Sequence, residues 1–221
     1  MRMERKPPRR TRERILELSL RLFNDFGEPN VNTTLIAEEM NISPGNLYYH
    51  FKNKDDIINC LFQQFDREIE SLLDPPTEAR ANVEDAWLFL HVLFELIWKY
   101  RFFYRDLNNL LANNRTLELK FKQLLQQKVR VARALAEGLK ASGDLKASAS
   151  EIEALATNMV VVATYWLSYA YVLDPRRIAD PEVQSRALSR GCYQVLSLTA
   201  PYLTGSSRQL FEKLAHEYLT D

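Results

Sequence analysis

Residues 33–58 read TTLIAEEMNISPGNLYYHFKNKDDII, and this run decides the fold. Leu35, Ile36 and Met40 set an apolar stripe on a helix over 33–40, with Asn32 or Thr33 as its cap. Asn41 breaks that helix. Ser43 is a candidate N-cap for a second helix over 44–50, and Pro44 takes its first position, where a missing N–H costs nothing. Seven residues make about two turns, and isolated helices shorter than ~12 residues are marginal in water. Leu47 and Phe51, four apart, are therefore read as anchors in a core. Asn46, Tyr48, Tyr49 and His50 are too polar to join them. A helix, a three-residue turn and a short capped helix give the helix-turn-helix layout. In that layout the second helix enters the major groove of DNA and the first crosses the backbone.

Working outward, Ile15, Leu18, Leu22 and Phe26 predict a helix over 10–26, ended by Gly27. Asn53 and Asp56 resemble a capping box at the start of a helix over 54–73. The Asp-Pro-Pro at 74–76 is the natural boundary. Beyond it, helices are expected near 78–99, 101–113, 116–141, 149–173, 182–203 and 207–219. With only 6 glycines in 221 residues, the expected fold is all-α. The expected division is a basic arm and helix-turn-helix domain over 1–53, a connecting helix over 54–74, and a helical ligand-binding and dimerisation domain over 75–221.

The net charge of zero hides an asymmetry. Residues 1–14 hold seven basic groups against two acidic ones, a local +5, so the remainder sums to −5. A basic arm ahead of an acidic body points to a polyanionic partner. The charged start, MRMERKPPRRTRER, is unlike a secretion signal. No apolar run of ~18 residues suggests a membrane span, so a cytoplasmic location is expected. Cys60 and Cys192 read as reduced, buried thiols. His50, His91 and His216 lie far apart, and no His-Cys cluster, GxSxG or phosphate-cradling glycine loop occurs. No enzyme, metal or cofactor is expected.

On the second helix, Gly45 lets the backbone come close to a phosphate or base, and the Asn46 amide matches a base edge. Tyr48, Tyr49, His50 and Lys54 carry donors suited to phosphates, which set register rather than sequence preference.

Residues 10–56 closely resemble the N-terminal domain of the TetR family of bacterial transcriptional regulators, through RERILELSLRLFNDFG and TTLIAEEMNISPGNLYYHFKNKDDII. The resemblance implies that Asn32, Thr33 and Thr34 lie near DNA at the start of the first motif helix. It implies that Pro44, Gly45 and Asn46 approach bases, that Ser43 also lies at the DNA-binding site, and that Tyr48, Tyr49, His50 and Lys54 contact phosphates. Some family members carry an arginine at the position of Thr34, and threonine cannot make that bidentate contact with guanine. Base reading then falls more on the second motif helix and on Arg9, Arg10 and Arg12. The partner so implied is double-stranded DNA with two-fold symmetry.

Two half-sites about 34–36 Å apart require a symmetric dimer. The helix over 149–173 is apolar nearly all round and must be covered on every side. The helix over 182–203 carries small residues that permit close approach. A four-helix bundle with the symmetry mates is expected through Met159, Val162, Trp166, Ala187, Gly191, Val195, Leu198 and Tyr202. Aromatic residues crowd the body, and an aromatic-walled pocket is expected from Trp87, His91, Phe94, Trp98, Phe103, Phe121, Tyr165, Trp166 and Tyr169. It suits a small, largely apolar effector. FFYRDLNNLLANN resembles a branch of the family that includes regulators of fatty-acid and polyhydroxyalkanoate metabolism, which implies a fatty-acid-like effector. Control by a protein partner and activation in place of repression are the alternatives.

Overall fold

The computed structural model describes residues 8–73, 82–177 and 180–219. Among them run eleven α-helices, two 3-10 turns and one isolated antiparallel bridge, Leu145 to Leu203. The helices are α1 (Pro8–Phe26), α2 (Thr33–Glu39), α3 (Pro44–His50), α4 (Lys54–Leu73), α5 (Val83–Lys99), α6 (Arg101–Arg105), α7 (Leu107–Asn113), α8 (Arg115–Ala141), α9 (Ala149–Leu173), α10 (Pro181–Ser197) and α11 (Gly205–Leu219). The expected boundary at 74–76 and the first seven residues of the basic arm lie outside the described residues, and residues 8–14 of that arm are the start of α1. The chain forms two compact units, one from residues 1–67 and 100–118, the other from 68–99 and 119–221.

In the first unit the punctuation is local. Gly27 takes φ 88°, in the left-handed region, and its N–H closes α1 on the Phe23 carbonyl at 3.0 Å. Asn32 Oδ1 accepts the Leu35 N–H at 2.8 Å and starts α2. Asn41, at φ 54°, ends it. Ser43 Oγ accepts the Asn46 N–H at 3.2 Å and starts α3. Asn53 Oδ1 accepts the Asp56 N–H at 2.8 Å, and the Asp56 carboxylate accepts the Lys52 N–H at 3.0 Å, which fixes the start of α4. Ile15, Phe23, Ile36, Leu47, Ile57, Phe62 and Phe65 fill the core.

Residues 100–118 belong to this core, although the sequence-based division placed them with the body. Phe102, Phe103 and Tyr104 are buried. Phe102 meets Phe23 at 5.1 Å between ring centroids, and Phe103 meets Phe62 edge-on at 5.4 Å. Asn24 Oδ1 accepts the Phe102 N–H at 3.1 Å, and Arg105 donates to the Phe23 and Asn24 carbonyls at 2.8 and 3.1 Å. Arg105 thus gives the Asn24 carbonyl at the end of α1 a partner and adds a second donor to the Phe23 carbonyl, which already accepts the Gly27 N–H. The single helix expected over 101–113 is two helices. They divide at Asp106, whose carboxylate accepts the Glu28 N–H at 3.0 Å.

In the second unit α10 packs against both α5 and α9. The helix expected to run to 203 stops at Ser197, because Pro201 cannot continue it, and a 3-10 turn follows over Ala200–Tyr202. A capping box opens α9. Ser148 Oγ accepts the Glu151 N–H at 3.3 Å, while the Glu151 carboxylate accepts the Ser148 N–H at 2.7 Å.

Gly191 marks the tightest approach in this unit. A Cβ there would lie 2.6 Å from Phe94 Cε1 on α5 and 2.6 Å from Trp166 Cδ1 on α9. Overpacking of this kind costs about 1–3 kcal/mol, which outweighs the ~0.5–1 kcal/mol of helix propensity a side chain adds. Gly191→Val is expected to lower Tm by about 5–10 °C. A melting curve that superimposes on the parent's would refute the packing described.

Candidate nucleic-acid interface and body cavity

The surface of the first unit changes character along α3. Leu47 and Phe51 are buried, while Ser43, Pro44, Gly45 and Asn46 are exposed. Tyr49 is 80% exposed, the farthest projecting large side chain of the motif. Its ring meets His50 edge-on at 5.1 Å. Tyr48 is held differently: its hydroxyl lies 3.2 Å from Thr33 Oγ1 and ties α3 to the start of α2. That bond places Thr33 and Tyr48 side by side on one face.

Gly45 is informative because nothing inside the protein demands it. Its φ is not positive, and an added Cβ would meet only Ser43 Oγ at 4.0 Å. Glycine inside a helix costs up to ~1 kcal/mol relative to alanine. Its effect here is to leave the backbone bare on the solvent side, where an outside partner can come close.

The basic residues divide. The Arg9 side chain lies outside the described residues, and Arg10 is exposed. Arg12 packs back onto its own unit, with its guanidinium 4.8 Å over the Phe51 ring and Nη2 3.0 Å from Cys60 Sγ. Lys54 is also engaged. Its ammonium lies 2.5 Å from Glu28 Oε1 and donates to the Glu28 carbonyl at 3.1 Å. Of the residues expected at DNA, Arg10, Arg12, Asn32, Thr34, Ser43 to Asn46, Tyr48 and Tyr49 are exposed, and His50 is half-buried. Cys60 is half-buried rather than buried. Cys192 is buried, and burial pushes its thiol up to about 12.

The body differs from the expectation. A narrow cavity of about 50 Å³ opens in the second unit between α5, α8, α9 and α10. Its walls are aliphatic and small: Ala86, Leu90, Leu93, Ala132, Val160 and Ala163 are among them, with Phe89 as the one aromatic. None of the nine residues expected to form an aromatic pocket lines it. Phe103 is a core residue of the first unit. Phe94 and Phe121 are buried core residues. The Trp87 ring meets His91 at a tilt, 4.2 Å between centroids, with its indole N–H buried and unbonded, and burial lowers the His91 pKa. Trp98 is half-buried. Trp166 donates its indole N–H to the Ala187 carbonyl at 2.6 Å and lines, with Tyr169, an open groove that also carries Arg177, Arg186 and Arg190. Tyr165 is exposed. The reason is physical: large flat rings are used here to seal helix contacts, and the gap is left where side chains are short.

Sequence reasoning missed Lys128, which lines the cavity and is 4% exposed. A signal was present. Phe121, Leu124, Lys128, Ala132, Ala136 and Leu139 recur at three- and four-residue spacing, so Lys128 sits on the apolar stripe of α8.

The residues expected at a dimer face also sort differently. Ala187, Gly191 and Val195 are buried within the second unit. Met159 lines the cavity. Leu198 and Tyr202 pack on a cluster that includes Leu139, Leu145, Ile152 and Leu155. Val162 and Trp166 are half-buried. The close approach that the small residues permit is made to α5 and α9 of the same chain. The open apolar face of α9 carries Val161, Tyr165, Tyr169, Val172 and Leu173 instead, exposed by 46–76%.

Among the described residues, no helix is long and apolar enough to cross a membrane, and no cluster of His, Cys, Asp or Glu could hold a metal ion.

Residues 15–60 match the family model described as bacterial regulatory proteins, tetR family, and residues 64–211 match one described as bacterial transcriptional repressor, TetR. The chain is 38% identical over 60 residues to an HTH-type transcriptional regulator of Staphylococcus aureus (strain USA300), a stretch that is 27% of this chain and 32% of that relative. A crystal structure of a TetR-family transcriptional regulator from Marinobacter aquaeolei VT8 superimposes with a TM-score of 0.83 at 34% identity, covering 94% of this chain and 98% of that one. The TetR-family protein CprB from S. coelicolor A3(2) shares the fold at 15% identity, with a TM-score of 0.67 over 97% of this chain and 98% of that one. So does SmeT, solved as a complex with triclosan, at 18% identity, with a TM-score of 0.59 over 90% of this chain and 94% of that one.

Proposed function

The chain belongs to the TetR family of non-enzymatic, DNA-binding transcriptional regulators, and on that premise we propose that it is a homodimeric repressor released from a two-fold symmetric operator by a small, largely apolar effector. The observation that carries DNA recognition is the bare, exposed stretch Pro44 to Asn46 on a helix held from beneath by Leu47. We assign base reading to that stretch, helped by Asn32, Thr34 and Arg10, and phosphate contacts to Tyr49 and His50. Thr33 and Tyr48 brace each other and present one shared polar edge. Lys54 and Arg12 are engaged within the unit and contribute charge at shorter reach. A gel shift with operator DNA and a competitor lacking the operator tests this: specific binding is expected, and equal affinity for both DNAs would overturn it. As a regulator of bacterial genes it acts in the cytoplasm.

For the dimer, we assign the face of α9 that carries Val161, Tyr165, Tyr169 and Val172, spaced four, four and three apart. A monomer would leave this stripe in water, and contiguous apolar patches of this kind mark interaction sites. The buried residues Ala187, Gly191 and Val195 support it from within. Tyr165→Asp is expected to weaken dimerisation at least about tenfold, since a carboxylate buried without a partner costs several kcal/mol. Light scattering after size exclusion reads it. A wild-type chain that is monomeric at micromolar concentration would remove the proposal.

For the effector, we assign the aliphatic cavity in place of the aromatic pocket expected from sequence. Sites for drug-sized ligands measure ~300–1,000 Å³, far above the space present. An effector must therefore part the helices around it. α4 and α8 each contribute residues to both units, so the strain has a continuous path toward the reading heads. A ligand shifts DNA affinity only by its differential binding to the two states. SmeT with triclosan supports an effector of apolar character in a protein of this fold. The functional division stays 1–53 for DNA binding, 54–74 for connection and 75–221 for ligand binding and dimerisation, with 100–118 serving as a brace for the DNA-binding core.

A further inference from the structure

We propose that Glu28 is a positioning residue of the DNA interface: it holds Lys54 at the edge of the motif and cancels its charge. Lys54 then sets register on the phosphate backbone without raising affinity for DNA of any sequence. This rests on the reading that α3 enters the groove. Lys54 opens α4, four residues after His50, where the edge of the motif meets the backbone of the duplex. Its ammonium lies 2.5 Å from Glu28 Oε1 and donates to the Glu28 carbonyl at 3.1 Å. The Glu28 side chain is 8% exposed and that of Lys54 29%. The rest of the cluster holds Glu28 in place. Asn109 Nδ2 donates to Glu28 Oε2 at 3.4 Å, and the Glu28 N–H donates to Asp106, whose carboxylate lies 3.5 Å from Arg105 Nη2. Glu28, Asp106, Lys54 and Arg105 carry two charges of each sign, which cancel. Arg10 and Lys52, in contrast, carry exposed side chains.

Magnitudes decide whether DNA can take Lys54 away from Glu28. If the ammonium moved to a phosphate, the Glu28 carboxylate would stay behind, buried and unpaired. Removing one partner of a buried pair shifts an equilibrium on the order of a hundredfold or more. The partial exposure of Lys54 reduces that figure, but a single phosphate contact returns only about fivefold at physiological salt. Asn109, neutral and at 3.4 Å, is a poor replacement donor. Glu28 cannot follow, because Asp106 holds its backbone. The pair therefore meets DNA as a pair. It offers an N–H to a phosphate but no net charge, and counterion release follows the charge that neutralises phosphates.

The test is the salt dependence of binding by the full-length protein to a fluorescently labelled duplex of random sequence, between about 50 and 200 mM salt. Glu28→Gln frees the lysine. The slope of log K against log salt is expected to steepen by about 0.9, so the affinity ratio between the two salt limits grows about 3.5-fold beyond the wild type's. The double variant Glu28→Gln, Lys54→Met removes both charges and is expected to return to the wild-type slope. Replacing both partners of a pair is nearly neutral for folding, so the double variant decides the matter even if Glu28→Gln folds poorly. An unchanged slope in Glu28→Gln, whatever its Tm, would overturn the proposal and leave the groove reading standing. So would a double variant shallower than the wild type by about 0.9, since Lys54 would then be giving its charge to the backbone. If the wild type shows no salt-dependent binding, the groove reading and this proposal fall together.

Discussion

Leu47→Ala is expected to abolish operator binding, because it removes the anchor on which the short α3 helix depends. Leu47 is 0% exposed, in a helix of seven residues. Leu→Ala substitutions at buried sites cost about 2–5 kcal/mol, the transfer term plus the cavity left behind. Domains carry about 5–15 kcal/mol in total, so the loss takes a large share of the first unit's stability. No other buried side chain lies within α3. The Ser43 cap contributes only about 1 kcal/mol and cannot hold two turns of helix in place. Limited proteolysis is expected to cut within residues 33–58 at protease levels the parent survives. Operator affinity retained with unchanged protection there would show that α3 stands without its anchor, against this account.

The second large effect is the reverse case, lost binding with intact folding. Asn46 and Tyr49 are exposed, and surface substitutions away from special features stay within ~0.5 kcal/mol of the parent. The double variant Asn46→Ala, Tyr49→Ala is therefore expected to melt like the parent. Yet it should bind operator about a hundredfold more weakly, since a good base contact is worth ~1–3 kcal/mol and phosphate contacts add to it. The single variants separate the roles. Asn46→Ala is expected to relax preference at the base it reads. Tyr49→Phe is expected to weaken binding to all sequences alike, because phosphates carry no sequence information. A Tyr49→Phe protein that prefers a different operator at unchanged nonspecific affinity would refute the division.

The DNA-binding half was legible in the sequence because its signals are local. Asn32, Ser43 and Asn53 announce helix starts within three residues of the N–H groups they accept. Pro44 and Gly45 punctuate one turn, and Leu47 and Phe51 repeat at helical spacing. What stayed hidden depends on partners distant in sequence. Nothing near Lys54 signals that Glu28, 26 residues away, holds its ammonium. Nothing in FFYRDL signals that Phe102 belongs beside Phe23. On α9 almost every position is apolar, so periodicity could not choose a face. Trp166 turned inward toward Ala187 while Tyr165, one residue earlier, turned to solvent. The cavity lies apart from the expected aromatic residues for a related reason. Aromatic residues mark large buried area, and well-packed rings leave no gap; the cavity lies where α5, α8 and α9 present Ala86, Ala132 and Ala163. Lys128, on an otherwise apolar stripe, was readable.

The central claim is that two copies of α3, related by a dimer axis, read a symmetric site. Sequencing the DNA retained by the purified full-length protein from a random pool tests this directly. The account predicts an inverted repeat with half-site centres one helical turn, about 34–36 Å, or a multiple of it apart, and Asn46→Ala relaxing the preference within each half-site. Retained DNA without two-fold symmetry, or a preference that Asn46→Ala leaves intact, would contradict it.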